Sequence, residues 1–309
     1  MKKTITCIFI CLLFSTSIVK AEYLEVTLLG TGTPRPDIDR FGPATVVEVK
    51  GRYFVFDAGR GITIRLMQAG IPLSQIEHVF ITHLHSDHIT GLSDLWLTGW
   101  IWQRGWELNL YGPCGLAHYA KNIESAYEAD IDYRSKNTQL ESNAAKLNVK
   151  EISQDGIIYD HEGVKVTAFS VEHGVVDPAY GYRLDANGRS VVISGDTTYS
   201  ENLIKHSQDV DLLIHEIAAA DQSLLKQNDR LKKVMSYHTT PAQSAEIFNQ
   251  TKPRAAIFTH VLLFGVEEAA VLNEVGELYK GPVYMGEDLL QIGVGDEISI
   301  RRFESSNSH

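Results

Sequence analysis

The sequence predicts an α/β fold in which two sheets pack face to face with helices outside, a four-layer αββα sandwich. Many short strand patterns precede the midpoint of the 309 residues. Strand–helix alternation recurs after it. Several apolar strand patterns are closed at one end by His or Asp, as expected where loops converge into a site.

The pass along the chain starts with an export pattern. Lys2 and Lys3 are followed by a mostly apolar stretch at 4–19, and Val19-Lys20-Ala21 offers a small-x-small cleavage site. The prediction is a signal peptide at 1–21 and a single hydrolase domain at 22–309, periplasmic or secreted. Loss of Lys2, Lys3 and Lys20 would take the formal charge from −11 to −14. That balance counts against a polyanionic partner, so nucleic acid is not expected. Cys114 is left as the sole thiol, and no later stretch is long and apolar enough to span a membrane.

Residues 23–29 alternate and read as a strand, followed by the turn-rich Gly30-Thr31-Gly32-Thr33-Pro34-Arg35-Pro36. Residues 45–49 and 53–56 form a hairpin across Lys50-Gly51-Arg52. Asp57 closes it, either orienting a site residue or capping a helix at 62–69. Residues 78–81 are an apolar strand. A helix at 92–103 carries Trp96, Trp100 and Trp102, and Trp106 follows. These tryptophans read either as core, with an interface of a homodimer, or as an apolar wall beside a site that receives an aryl group. Residues 108–111 are a strand, 114–128 a helix and 130–143 a polar surface loop or lid. Strands follow at 147–152, 157–160, 164–171, 190–193, 210–214 and 255–258.

The chemistry is concentrated in Thr82-His83-Leu84-His85-Ser86-Asp87-His88, which holds four metal-competent side chains in six residues directly after a strand. His83 and His85 are two apart, so both rings project to one side of an extended segment. Asp87 and His88 lie where the chain turns towards a helix and can face a second ion. Imidazole with carboxylate suits zinc, with iron or manganese as other candidates. Downstream, Glu172-His173, Ser194-Gly195-Asp196-Thr197 and Thr259-His260 each close a strand pattern.

At these residues the sequence resembles the metallo-β-lactamase superfamily, carried by His83-x-His85-x-Asp87-His88 and covering nearly the whole mature chain. The resemblance implies the metallo-β-lactamase fold and two divalent ions. His83, His85 and His173 would hold one ion, Asp87, His88 and His260 the other, and Asp196 would bridge them. Ser194-Gly195-Asp196-Thr197, Ile214-His215-Glu216, His238-Thr239-Thr240-Pro241-Ala242-Gln243 and Tyr180-Gly181-Tyr182-Arg183 resemble the ribonuclease Z branch. That branch carries a long tRNA-clamping arm between the strands matching 180–184 and 190–193, where this chain has only Asp185-Ala186-Asn187-Gly188. Gly30-Thr31-Gly32-Thr33-Pro34, Asp39-Arg40-Phe41-Gly42-Pro43 and Gly286-Glu287-Asp288 resemble exported arylsulfatases of the same superfamily.

Two ions sharing a water can lower its pKa towards neutrality and yield a hydroxide nucleophile. Asp87 is expected to orient that water or accept its proton. His238 is expected to donate to the leaving oxygen, with Glu216 polarising it. The expected function is an exported dinuclear metal-dependent hydrolase of small sulfate or phosphate esters, of arylsulfatase or phosphodiesterase type. The alternatives are a ribonuclease Z-type 3′-tRNA endonuclease and a β-lactamase.

Overall fold

Three separate apolar layers define the architecture of the computed structural model, which describes residues 24–138 and 140–303. The signal-peptide reading of residues 1–21 lies outside the described residues. The first half runs β1 (Leu24–Gly30), β2 (Ala44–Val49), β3 (Arg52–Phe56), α1 (Ile62–Gln68), β4 (Ile76–Phe80), α2 (Ser86–Ile89), α3 (Leu92–Ile101), β5 (Leu108–Pro113), α4 (Leu116–Thr138) and β6 (Leu147–Ile152). Then come β7 (Gly156–His161), β8 (Val164–Ser170), β9 (Tyr180–Ala186), β10 (Arg189–Ile193), α5 (Glu201–His206), β11 (Leu212–Ala220), α6 (Gln222–Gln227) and α7 (Asp229–Met235). The chain finishes with α8 (Pro241–Thr251), β12 (Ala255–Phe264), α9 (Glu268–Leu278), β13 (Val283–Met285), β14 (Gln291–Val294) and β15 (Ile298–Arg301).

One sheet has the order β15-β14-β1-β2-β3-β4-β5-β6 and the other β13-β12-β11-β10-β9-β8-β7. Alternation along single strands assigns the layers. Phe54 and Phe56 of β3 enter the core between the sheets, whereas Val55 faces the helical side. Likewise Val191 and Ile193 of β10 enter the central core and Val192 packs under α5 and α8. Strands buried on both faces need the near-continuous apolar runs that the sequence carries. The αββα sandwich predicted from the sequence is the observed fold.

In each sheet four consecutive strands that reach one edge run parallel, β3 to β6 in one and β10 to β13 in the other. Their C-terminal ends open towards a common edge, where open α/β sheets place ligands. Cross-sheet hydrogen bonds fix that edge. The Tyr182 hydroxyl donates to the Ile81 carbonyl at 2.6 Å, and the Tyr180 amide donates to the Thr82 carbonyl at 3.0 Å. Gly30 is required where β1 leaves the sheet, since a Cβ there would stand 2.0 Å from the Gly42 carbonyl oxygen.

Three elements run past the ends that the sequence reading gives them. Residues 130–138 belong to α4 rather than to a loop or lid. That stretch is a solvated helix held by Asp130–Arg134 and Asp132–Lys136 pairs at i,i+4, so it lacks the apolar period by which helices are recognised. β11 and β12 run on to Ala220 and Phe264, well past the predicted ends at 214 and 258.

Candidate metal centre

Every histidine and aspartate singled out as a ligand stands at this common edge. β4 ends at Phe80, and the segment behind it turns into α2, which carries Asp87 and His88. His173 follows β8, Asp196 follows β10, and His260 lies within β12. His260 adopts a φ of 44°, beside a register shift against β11 between Glu216 and Ile217. The histidine thus sits inside a continuing strand rather than at its end.

Two groups form. His83 Nε2 lies 2.9 Å from His85 Nδ1, which lies 3.3 Å from His173 Nε2. His260 Nε2 lies 3.3 Å from Asp87 Oδ2, and His88 Nε2 lies 3.6 Å from the same oxygen. Asp196 Oδ2 stands between the groups, 3.8 Å from both His83 and His173 Nε2, 3.4 Å from His88 and 3.3 Å from His260. Ligand atoms about 2.0–2.1 Å from one tetrahedral ion are separated by roughly 3.3 Å, the spacing found here.

Hydrogen bonds select which ring nitrogens face inward. Asp57 accepts the His88 Nδ1 proton at 2.8 Å through Oδ2, while its Oδ1 accepts from the Thr82 amide at 2.8 Å. His83 Nδ1 pairs with the Thr82 hydroxyl at 3.0 Å, and His173 Nδ1 donates to the Tyr237 carbonyl at 3.1 Å. Asp57 therefore orients His88. The cap of α1 falls at Gly61, so the alternative capping role for Asp57 is not realised.

The donor set fits cations on its own evidence of strain. His88 Nε2 and Asp196 Oδ1 are buried with no hydrogen-bond partner among the described residues. A buried polar atom left unpaired costs about 1–3 kcal/mol, a cost a cation at each group would remove. Burial holds His83 well below the ordinary imidazole range and also lowers His85 and His173, keeping them in the neutral, ligating form. Burial likewise favours neutral Asp196, but the imidazoles of His260 and His88 outweigh it and keep the carboxyl well below its usual range. The two groups are suited to binding metal ions.

Asp57→Asn should weaken metal retention by about 10–100-fold, because the ring it orients would lose its charged acceptor. Chelator competition measures this. Retention equal to the wild type would remove Asp57 from the account.

His238 lies next to the groups, with its ring 5.5 Å from that of His260. Its Nδ1 donates to Glu216 Oε1 at 3.1 Å. Burial pulls the imidazole down, but the charge and hydrogen bond of Glu216 prevail and raise it to about 9. Glu216 also accepts from the Thr239 amide at 2.9 Å. Helix α8 is capped by Thr240 and Gln243, so His238 is not a capping residue. His215 points away, its Nδ1 on the Glu216 carbonyl and its ring against Phe248.

These residues open into a cleft of about 1010 Å³ lined by His85, Asp87, Asp196, His238 and His260. The tryptophans do not line it. Trp96 and Trp100 are fully buried under the first sheet, donating to the carbonyls of Ala145 and Glu141. Trp102 and Trp106 lie at the surface. Adjacency in sequence to the ligand loop misled the wall reading, since α3 turns its aromatic face into the core. Trp100→Ala should destabilise the fold by about 3–5 kcal/mol and change KM alike for aryl and alkyl esters. A KM rise confined to aryl esters would contradict this placement.

Residues 52–261 match the model of the beta-lactamase superfamily domain. The chain belongs to the beta-lactamase superfamily. Its relatives include a ribonuclease Z of Mycobacterium sp. (strain KMS), 31% identical over 282 residues, covering 90% of this chain and 99% of that protein. Among solved structures, human tRNase Z, short form, is 25% identical with a TM-score of 0.66, covering 87% of this chain and 99% of that one. The metallo-beta-lactamase fold protein YhfI from Bacillus subtilis is 19% identical with a TM-score of 0.67, covering 87% and 98%.

Membership of this metallo-beta-lactamase fold family, with ribonuclease Z-like relatives, agrees with the resemblance read from the motif. The relatives run against the expectation that nucleic acid is not a partner. The missing arm does not set this chain apart from the mycobacterial relative. β9 and β10 are indeed joined by a tight turn at Asn187-Gly188. Yet a 282-residue alignment spanning 90% of this chain leaves the mycobacterial relative no room for a long insertion either.

Sequence reasoning missed one contributor to the centre, Tyr237, whose carbonyl holds His173. A main-chain role leaves no side-chain signal. It also missed the walls of the cleft supplied by Arg35, Arg230, Leu231 and Val234.

Proposed function

We propose that this protein is a dinuclear metal-dependent phosphodiesterase of the ribonuclease Z type. The observation that carries the proposal is likeness to ribonuclease Z over 99% of a relative's length, on a site where one aspartate stands between two ligand groups. His83, His85 and His173 would ligate one ion, and Asp87, His88 and His260 the other, with Asp196 between them. Nitrogen and oxygen donors at this spacing suit zinc, with manganese or iron as substitutes. Bound there, such ions lower the pKa of water and neutralise charge on a phosphoryl group.

The side chains do the rest. Asp87, which lines the cleft, orients the attacking water and accepts its proton. His238, cationic at neutral pH, donates through its other ring nitrogen to the leaving oxygen. Glu216 touches no substrate in this scheme and serves as the positioning residue that keeps His238 protonated. RNA is the substrate the relatives favour. Relative to the sequence reading, phosphorus moves ahead of sulfur and the tRNA-endonuclease alternative moves ahead of the arylsulfatase. Export is retained in the proposal on the pattern of residues 1–21, and its signature is a mature chain beginning at Glu22.

One panel tests the reading. Metal-loaded protein is given precursor tRNA, bis(4-nitrophenyl) phosphate and 4-nitrophenyl sulfate. Turnover of at least one phosphodiester, faster than of the sulfate, is expected from the likeness to ribonuclease Z. Sulfate cleavage with neither phosphodiester cleaved overturns it.

A further inference from the structure

The cleft has two unlike walls. One is the loop carrying Gly32, Arg35 and Arg40, with Glu268 paired to Arg40. The Asp288 carboxylate anchors this loop by accepting from the Thr31 amide at 2.8 Å and the Phe41 amide at 2.7 Å. The other wall adjoins it, the Val261 amide donating to the Thr31 carbonyl at 2.9 Å, and comes from a part of the chain from which the proposed chemistry uses only His238. β11 and β12 stay paired beyond the register shift, from Ile217↔Val261 to Ala220↔Phe264. From Ala220 the chain passes through α6 and α7 and returns to the site at Tyr237 and His238.

Leu231, Val234 and Tyr237 on this return line the same cleft as Val261 and Phe264. Leu231 and Val261 are already buried at 7% and 8% exposure, so the wall is packed. The Tyr237 ring stands 5.2 Å edge-on from His173 and 5.0 Å from His238. It therefore joins the ligand cluster to the apolar surface. Between 224 and 237 and between 261 and 265, the lining residues include no carboxylate, and Asn228 and Arg230 complete that side.

We infer that this wall is a subsite for an aromatic group, aryl or nucleobase, attached to an ester oxygen of the substrate. The inference rests on the phosphodiesterase reading and gives it a substrate class. An anionic tetrahedral centre at the ligand groups places its ester substituent beside His238, and the adjoining surface is Tyr237 with Val234 and Leu231. Removing a ring from water against such a surface is worth at least about tenfold in affinity, after the cost of ordering it. Rings also gain from stacking on Tyr237 whichever base or aryl group they belong to.

The test uses phenylphosphonate and methylphosphonate, whose oxyanions stand in for the reacting phosphate, titrated calorimetrically into metal-loaded protein. Wild type should bind phenylphosphonate at least about tenfold more tightly than methylphosphonate. Val234→Ser should reduce that preference and leave the methylphosphonate Kd unchanged. Tyr237→Leu, which keeps the carbonyl that holds His173, should also reduce the preference and serves if the serine variant does not fold. Equal binding of the two probes by wild type overturns the subsite, as does a preference that survives both substitutions. Binding of methylphosphonate without a phenyl preference sinks the subsite alone. Failure to bind either probe, with no cleavage of bis(4-nitrophenyl) phosphate, sinks the phosphodiesterase reading as well.

Discussion

Asp196→Ala is expected to reduce kcat/KM by about 10³-fold or more, the equivalent of the several kcal/mol that paired ions contribute to a charged transition state. The reason is geometric. Asp196 Oδ2 lies within 3.8 Å of the inward nitrogens of His83, His173, His88 and His260, so one carboxylate serves both groups. Removing it also leaves four buried imidazoles facing one another without their common counter-charge. Metal content of the folded variant should fall from two ions per chain to one or none. Asp196→Asn, which keeps the shape and loses the charge, should behave nearly as badly. Activity of the alanine variant within tenfold of the wild type would show that Asp196 does not bridge.

His238→Ala should cost about 10²–10⁴-fold on phosphodiesters with poor leaving groups and much less on nitrophenyl esters. An acid is needed only where the departing oxygen cannot carry its own charge. A uniform loss across leaving groups would contradict the acid role. Glu216→Gln supplies the pH test. Glu216 raises His238 to about 9 against the effect of burial. Without that charge burial prevails and the imidazole loses its proton at lower pH. Activity that needs the protonated ring is retained below its pKa and lost above it, so the basic limb of kcat/KM should move to lower pH. A purely structural glutamate would lower activity without moving the limb.

The centre was legible in sequence because its ligands close strand patterns, and a strand end is a local signal. His83, His85, Asp87 and His88 share one segment, and His173 and Asp196 follow β8 and β10. What the sequence concealed follows from the same polar residues. His215-Glu216 and Thr259-His260 interrupt apolar runs, so β11 and β12 read as ending where they continue. Adjacency to the ligand loop made Trp96 and Trp100 of α3 read as an apolar wall, whereas the core absorbs both side chains. The last turns of α4 were hidden for a different reason, since charge pairs rather than an apolar stripe support them. The branch of the superfamily was legible in Ser194-Gly195-Asp196-Thr197 and His238-Thr239-Thr240, whereas the absent arm argued for a distinction that the mycobacterial relatives do not support.

The count of divalent ions per folded chain tests the account most directly. Protein loaded with zinc, freed of loosely held metal by dialysis and analysed by elemental spectrometry should retain two ions, and Asp196→Ala should retain no more than one. Wild-type protein with native circular dichroism that retains none after loading with zinc, manganese or iron would contradict the paired-ion site and the hydrolase derived from it.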